Sequence, residues 1–116
     1  MKIPLSALRA AFWGACLAVV VLALLPAEQV QRLPLNFWDK AQHALAFGVL
    51  ALLGLRAWPS ARHHPLVLVA LLVLGGGIEV AQHLLGWRHG EWADWGADAL
   101  GVAVASLWAL VRRHRA

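Results

Sequence analysis

Charge is scarce in this chain: Asp, Glu, Lys and Arg make up 14% of its 116 residues, and only six residues are acidic. Soluble domains carry about 25% charge, so this composition cannot furnish a fully water-facing surface. Tyrosine is absent and cysteine occurs once, at Cys16. A lone cysteine excludes an intramolecular disulfide, a Cys-x-x-Cys redox pair and a thiolate metal knuckle. Set within an apolar run, Cys16 reads as a small packing residue. The chain also lacks a His-Glu-x-x-His segment, a Gly-rich phosphate loop and a Ser-His-Asp pattern, which removes the commonest hydrolase and nucleotide-binding signatures.

What the chain does have is apolar side chains, 61% of the total, with a mean hydropathy of +0.66. They are bunched into long blocks. A helix apolar all round is either a core helix or a membrane span, and a chain this short cannot bury several such helices in water. A hydrocarbon core ~30 Å thick takes about 20 apolar residues in a helix. Four stretches fit: 8–25, 41–57, 66–85 and 95–111. Pro26 and Pro34, Pro59 and Pro65, and Gly86 and Gly90 punctuate the segments between them. Lys2 ahead of the first block resembles the start of a signal peptide, but no small-x-small cleavage site follows Leu25, so the block is expected to stay as a span. The expected fold is all-α: one domain over residues 1–116, an integral membrane bundle of four transmembrane helices.

The pI near 10.7 follows from topology rather than from a nucleic-acid-binding face. Lys2, Arg9, Arg56, Arg62, Arg112, Arg113 and Arg115 fall on the side of the two termini, against Arg32, Lys40 and Arg88 on the other. Basic residues gather on the cytoplasmic side, so both termini are expected there. All the acids, Glu28, Asp39, Glu79, Glu91, Asp94 and Asp98, fall toward the outer side. Trp38, Trp87, Trp92 and Trp95 would belt the outer interface and Trp13, Trp58 and Trp108 the inner one. Trp92 and Trp95, set among the acids, are also candidates to line a site. Small residues at four-residue spacing, Ala10, Gly14 and Ala18, Ala44 and Gly48, and Ala97, Gly101 and Ala105, signal close helix packing within a bundle or a homo-oligomer. Gly75 to Gly77 would let a neighbour approach or let its span bend.

Three polar groups converge on the outer side. "WDKAQHALAF" places Asp39, His43 and Phe47 on one helical face, with Lys40 alongside. "IEVAQHL" puts Glu79 one turn from Gln82 and His83, and "DWGADALG" puts Asp94 one turn from Asp98, with Arg88 in the segment between. Asp39 and Asp94 suit helix caps, and Lys40 and Arg88 suit interfacial snorkelling. Glu79 and Asp98 resist that treatment. Each lies a turn or two inside a span, where ionisable groups are paired, face the bundle interior and mark function, or else form a structural ion-pair network. The expected polar site is therefore Asp39, Lys40, His43, Glu79, Gln82, Arg88, Asp94 and Asp98. His43, Glu79, His83 and Asp98 also offer metal ligands, with Glu79 and His83 at i, i+4 spacing. Carboxylates outnumber histidines there, and neither a metal nor another cofactor is expected.

In order and spacing, "DKAQHALAFGVL", then Glu79 and Gln82 in "EVAQ", then Arg88, then "DWGADALG" resemble the VanZ-like membrane protein family. The resemblance covers residues 37–105. Asp98 departs from it, since the family commonly has Asn there. The resemblance implies a small multi-pass protein of the bacterial cytoplasmic membrane and a link, through the founding member, to teicoplanin resistance; it brings no settled reaction. Two functions are expected on these grounds. One is a non-enzymatic envelope protein whose outward polar site binds membrane lipid headgroups, a cell-wall precursor or a glycopeptide. The alternative is a membrane-embedded, metal-assisted or acid–base hydrolase of lipid-linked substrates. An ion or proton pathway built by oligomerisation is a third.

Overall fold

A computed structural model describes residues 2–26, 39–86 and 92–115, with the side chains of all but Asp39 and Arg113–Arg115. The described residues form four α-helices and no strand: α1 (Leu5–Leu24), α2 (Asp39–Ala57), α3 (His64–Leu85) and α4 (Trp92–Arg115). A single 3-10 turn, Ala61–His63, leads into α3. Pro65 does not bound this helix from outside, as the sequence suggests. It sits in the first turn, where a missing N–H costs nothing and φ is already helical. Gly86 ends α3 at φ 79°, a left-handed conformation that glycine adopts without a Cβ penalty. The triple glycine at 75–77 does not break α3.

The helices run up and down, so the ends of α1 and α3 lie with the starts of α2 and α4. The molecule measures 45 × 25 × 23 Å, and its long axis is comparable to a bilayer with its headgroups, about 40–45 Å. Among the described residues, three helices are long and apolar enough to cross a membrane: Leu5–Leu24, the 3-10 turn plus α3 over Ala61–Leu85, and Trp92–Arg112. That is the make-up of a multi-pass membrane protein. α2 is not among them, because Asp39, Lys40, Gln42 and His43 occupy its first turn and a half.

α2 is nevertheless the central element. It packs against all three other helices and most broadly against α4. Its Phe47, Leu50 and Ala51 are buried with Phe12 and Cys16 of α1, Leu71 and Ile78 of α3, and Val102 and Ala105 of α4. Large apolar side chains point outward on every helix: Leu17 on α1, Leu45 on α2, Val73 on α3 and Leu107 on α4 are each more than 60% exposed. Such a surface suits lipid rather than water. Ala10, Gly14 and Ala18 also face outward, with nothing within 4 Å of a Cβ built on Gly14. The small residues of α2 and α4 do pack: Gly101 lies against the backbone of Ala44, and Gly48 against the backbone of Gly101.

A helix end in an apolar medium must satisfy its last carbonyls internally. Side chains from neighbouring helices do so here. Gln82 of α3 donates from Nε2 to the Ala23 carbonyl near the end of α1 at 2.8 Å. Arg9 of α1 donates from Nε to the Ala57 carbonyl at the end of α2 at 3.0 Å, with its guanidinium 5.4 Å from the Trp58 ring. Trp58 packs edge-on to Phe12 and Trp13, at 5.3 and 6.1 Å between ring centroids. Ser106, mid-helix in α4, turns its hydroxyl back to the Val102 carbonyl at 2.6 Å.

A Cβ on Gly101 would collide with the Ala44 backbone, which cannot rotate away. Gly101→Ala is expected to cost about 1–3 kcal/mol, read as a lower thermal midpoint in detergent. Gly77→Ala, with nothing within 4 Å, is expected to be neutral or stabilising by up to about 1 kcal/mol.

Candidate functional site

The polar residues meet because their helix positions match in depth. Asp98 lies six residues into α4 and Glu79 six residues before the end of α3, each ~9 Å along its axis at 1.5 Å per residue. His43 enters α2 from the same end, four residues after Asp39. Three helices thus bring His43, Glu79 and Asp98 together, with one ligand-capable atom from each within 4.8 Å of the others.

His43 is the hub of the described cluster. Its Nδ1 lies 2.9 Å from Asp98 Oδ1. Where the Asp98 carboxylate is ionised it only accepts, and Nδ1 then carries the proton in that contact. Its Nε2 lies 3.8 Å from Asp94 Oδ2, within ion-pair range but beyond a hydrogen bond. Lys40 Nζ approaches the other Asp94 oxygen at 3.5 Å. Lys40 keeps about a third of its side chain exposed, so the network runs from the rim inward through Asp94 and His43 to Asp98.

Glu79, Gln82, Asp94 and Asp98 are all buried, none more than 3% exposed. Removing a carboxylate from water costs several kcal/mol unless partners replace the hydration. Glycine makes the space. A Cβ on Gly75 would stand 2.9 Å from Asp98 Oδ2 and 3.3 Å from the Trp95 ring, so the Asp98 carboxylate lies directly over the α3 backbone. Trp95 crosses the same face of α3, and its Nε1 donates to the Leu72 carbonyl at 2.9 Å.

Of the residues singled out in the sequence, the structure brings Lys40, His43, Glu79, Asp94 and Asp98 into one cluster, with Gln82 buried one turn from Glu79 on α3. His83, four residues from Glu79, faces outward and stands apart from the three metal-capable groups. The side chain of Asp39 and all of Arg88 lie outside the described residues, as do Trp38 and Trp87. Trp95 lies against the cluster through Gly75, whereas Trp92 is mostly exposed and meets Trp95 edge-on at 6.3 Å. Gly75 and the Ala23 carbonyl are the contributors that sequence reading does not assign. The triple glycine marks the first; no signal marks a backbone carbonyl.

The His43–Asp98 contact is shielded, with side chains 12% and 1% exposed, whereas Lys40, 35% exposed, reaches Asp94 from the rim. His43→Ala is therefore expected to lower stability by about 3–5 kcal/mol and Lys40→Ala by less than about 1 kcal/mol, compared by thermal unfolding of the purified protein in one detergent. Asp98→Asn, which keeps an acceptor oxygen for His43, is expected to fall between them. Compared with family models, with curated proteins and with solved structures, the chain gives no match.

Proposed function

We propose that this chain is a VanZ-like envelope protein of the bacterial cytoplasmic membrane, and that its polar cluster is a binding site open to the outer leaflet. In this reading all four helices span the bilayer and both termini lie in the cytoplasm. The excess of Lys and Arg on the terminal side supports that orientation. The outward-facing Leu45 and Val49 of α2 support a fourth span despite its polar first turns.

One observation carries the functional reading: Glu79, Gln82, Asp94 and Asp98 are buried together at one end of a bundle with an apolar exterior. Charge placed at such depth is retained where it handles a ligand or moves an ion. The described cluster sets three carboxyl groups against Lys40 and His43. That balance favours a ligand bearing amines and hydroxyls, which carboxylates bind with charge-assisted hydrogen bonds. The polar head of a lipid, a lipid-linked cell-wall precursor and a lipophilic glycopeptide all present such groups at the outer leaflet. Lys40 at the rim, with Arg88, contacts anionic parts of the same molecule.

A second reading draws on the convergence of His43, Glu79 and Asp98 within 4.8 Å. One nitrogen and two carboxylate ligands from three helices are a donor set that a divalent cation accepts. A bound ion would serve a hydrolase acting on lipid-linked substrates.

Cells overproducing the protein are expected to tolerate more teicoplanin, and Glu79→Gln or Asp98→Asn to abolish that gain while membrane levels stay normal. Unchanged tolerance in both variants, together with unchanged glycopeptide binding to purified protein, would sink the binding-site reading. Elemental analysis of protein purified without chelators separates the second reading. About one transition metal per chain, lost in His43→Ala, supports the hydrolase; no stoichiometric metal removes its metal-assisted form.

A further inference from the structure

The opposite end of the bundle carries a second feature, unrelated to the polar cluster. A cavity of about 800 Å³ opens there between the ends of the helices, within the ~300–1,000 Å³ range of small-molecule sites. Its walls are apolar: Leu52 and Leu55 of α2, Leu68 of α3, and Leu107 and Leu110 of α4. Lys2, Arg56 and Arg112 also line it, and all three side chains are exposed. None of them makes an ion pair among the described residues. Arg112 stands 5.1 Å from the centre of the Trp108 ring, another lining residue, which holds its guanidinium at the mouth.

No acid is among the described residues that line this cavity. Every described acid with a placed side chain, Glu79, Asp94 and Asp98, lies at the other end. Three cations without a carboxylate between them attract a phosphate diester and repel the ammonium of a zwitterionic headgroup. The leucine walls accept the hydrocarbon that such a headgroup carries. A soluble anion would gain nothing from those walls, and a lipid without net charge would gain nothing from the rim. Basic pockets between membrane helices take anionic headgroups in this way.

We propose that this cavity binds an anionic phospholipid from the leaflet on the side of the termini, with its phosphate between Arg56 and Arg112 and an acyl chain along Leu55, Leu68 and Leu107. Arginine suits the role, because its planar fork matches phosphate oxygens in pairs.

The test is native mass spectrometry of the full chain in mild detergent, titrated with equal amounts of dioleoyl phosphatidylglycerol and dioleoyl phosphatidylcholine. A basic group at a membrane surface is worth about fivefold in anionic-lipid binding, so a preference of about tenfold or more for phosphatidylglycerol is expected. Arg56→Gln with Arg112→Gln should abolish the preference with helicity unchanged. Arg56→Lys with Arg112→Lys keeps the charge and should retain most of it, and Leu68→Trp, which narrows the acyl-chain wall of the cavity, should reduce adducts of both lipids. Equal binding of the two lipids by the unmodified chain overturns the proposal. So does a preference that survives the double glutamine variant, or displacement of the lipid by millimolar inorganic phosphate, which would mark a site for free anions.

Discussion

The contact between Gly101 and the Ala44 backbone sets the distance between α2 and α4, and the polar cluster depends on that distance. Only with the two backbones in contact does His43, one residue before Ala44, reach Asp98, three residues before Gly101. A larger side chain at the crossing would part the helices and leave both groups without each other. In a bundle whose exterior is apolar, association gains little from hiding hydrophobic surface, so small residues and a few polar contacts must hold the helices. Here the two devices are adjacent along the same pair of helices.

The molecule is polarised along its length. One end gathers buried carboxyl groups with a histidine and a lysine; the other gathers exposed arginines, a lysine and an aromatic cluster of Phe12, Trp13 and Trp58. The acids are inside and the cations of the opposite end are outside, which matches their chemistry. Arginine and lysine reach an interface on long stems at little cost, whereas a short Asp or Glu side chain cannot. An acid a turn or two inside a helix must find partners on neighbouring helices, as Asp98 does with His43.

The helical class and the positions of all four helices are legible in the sequence, because apolar blocks and Pro or Gly punctuation report directly on length and solvent. Helix ends are less so. α4 starts at Trp92 rather than Trp95 and runs on through its terminal arginines, since charged residues can extend a helix that has left the apolar layer. Most of the candidate cluster is legible too: spacing at i, i+4 puts Asp94 and Asp98 on one face, and both are buried. The same rule misleads at Glu79, where His83 at i+4 turns outward while Gln82 at i+3 turns in. Both spacings lie within a turn, and only the neighbouring α1, whose Ala23 carbonyl receives Gln82, decides between them. The spacing also cannot distinguish the small residues of α1, which face outward, from those of α4, which pack.

The bonds that close the ends of α1 and α2 share an asymmetry. In each, a side chain donates to a backbone carbonyl: Gln82 to Ala23 and Arg9 to Ala57. A carbonyl is supplied by whichever residue occupies the position. Position 23, only partly buried, can therefore drift among small residues with its half of the bond intact. Position 57 is fully buried and is limited by size rather than by hydrogen bonding. The whole chemical requirement falls on the donors. Over evolutionary time, related chains that keep this tie should hold an amide or another donor at 82 and a long cationic donor at 9, while the residues they grip vary freely within their volume.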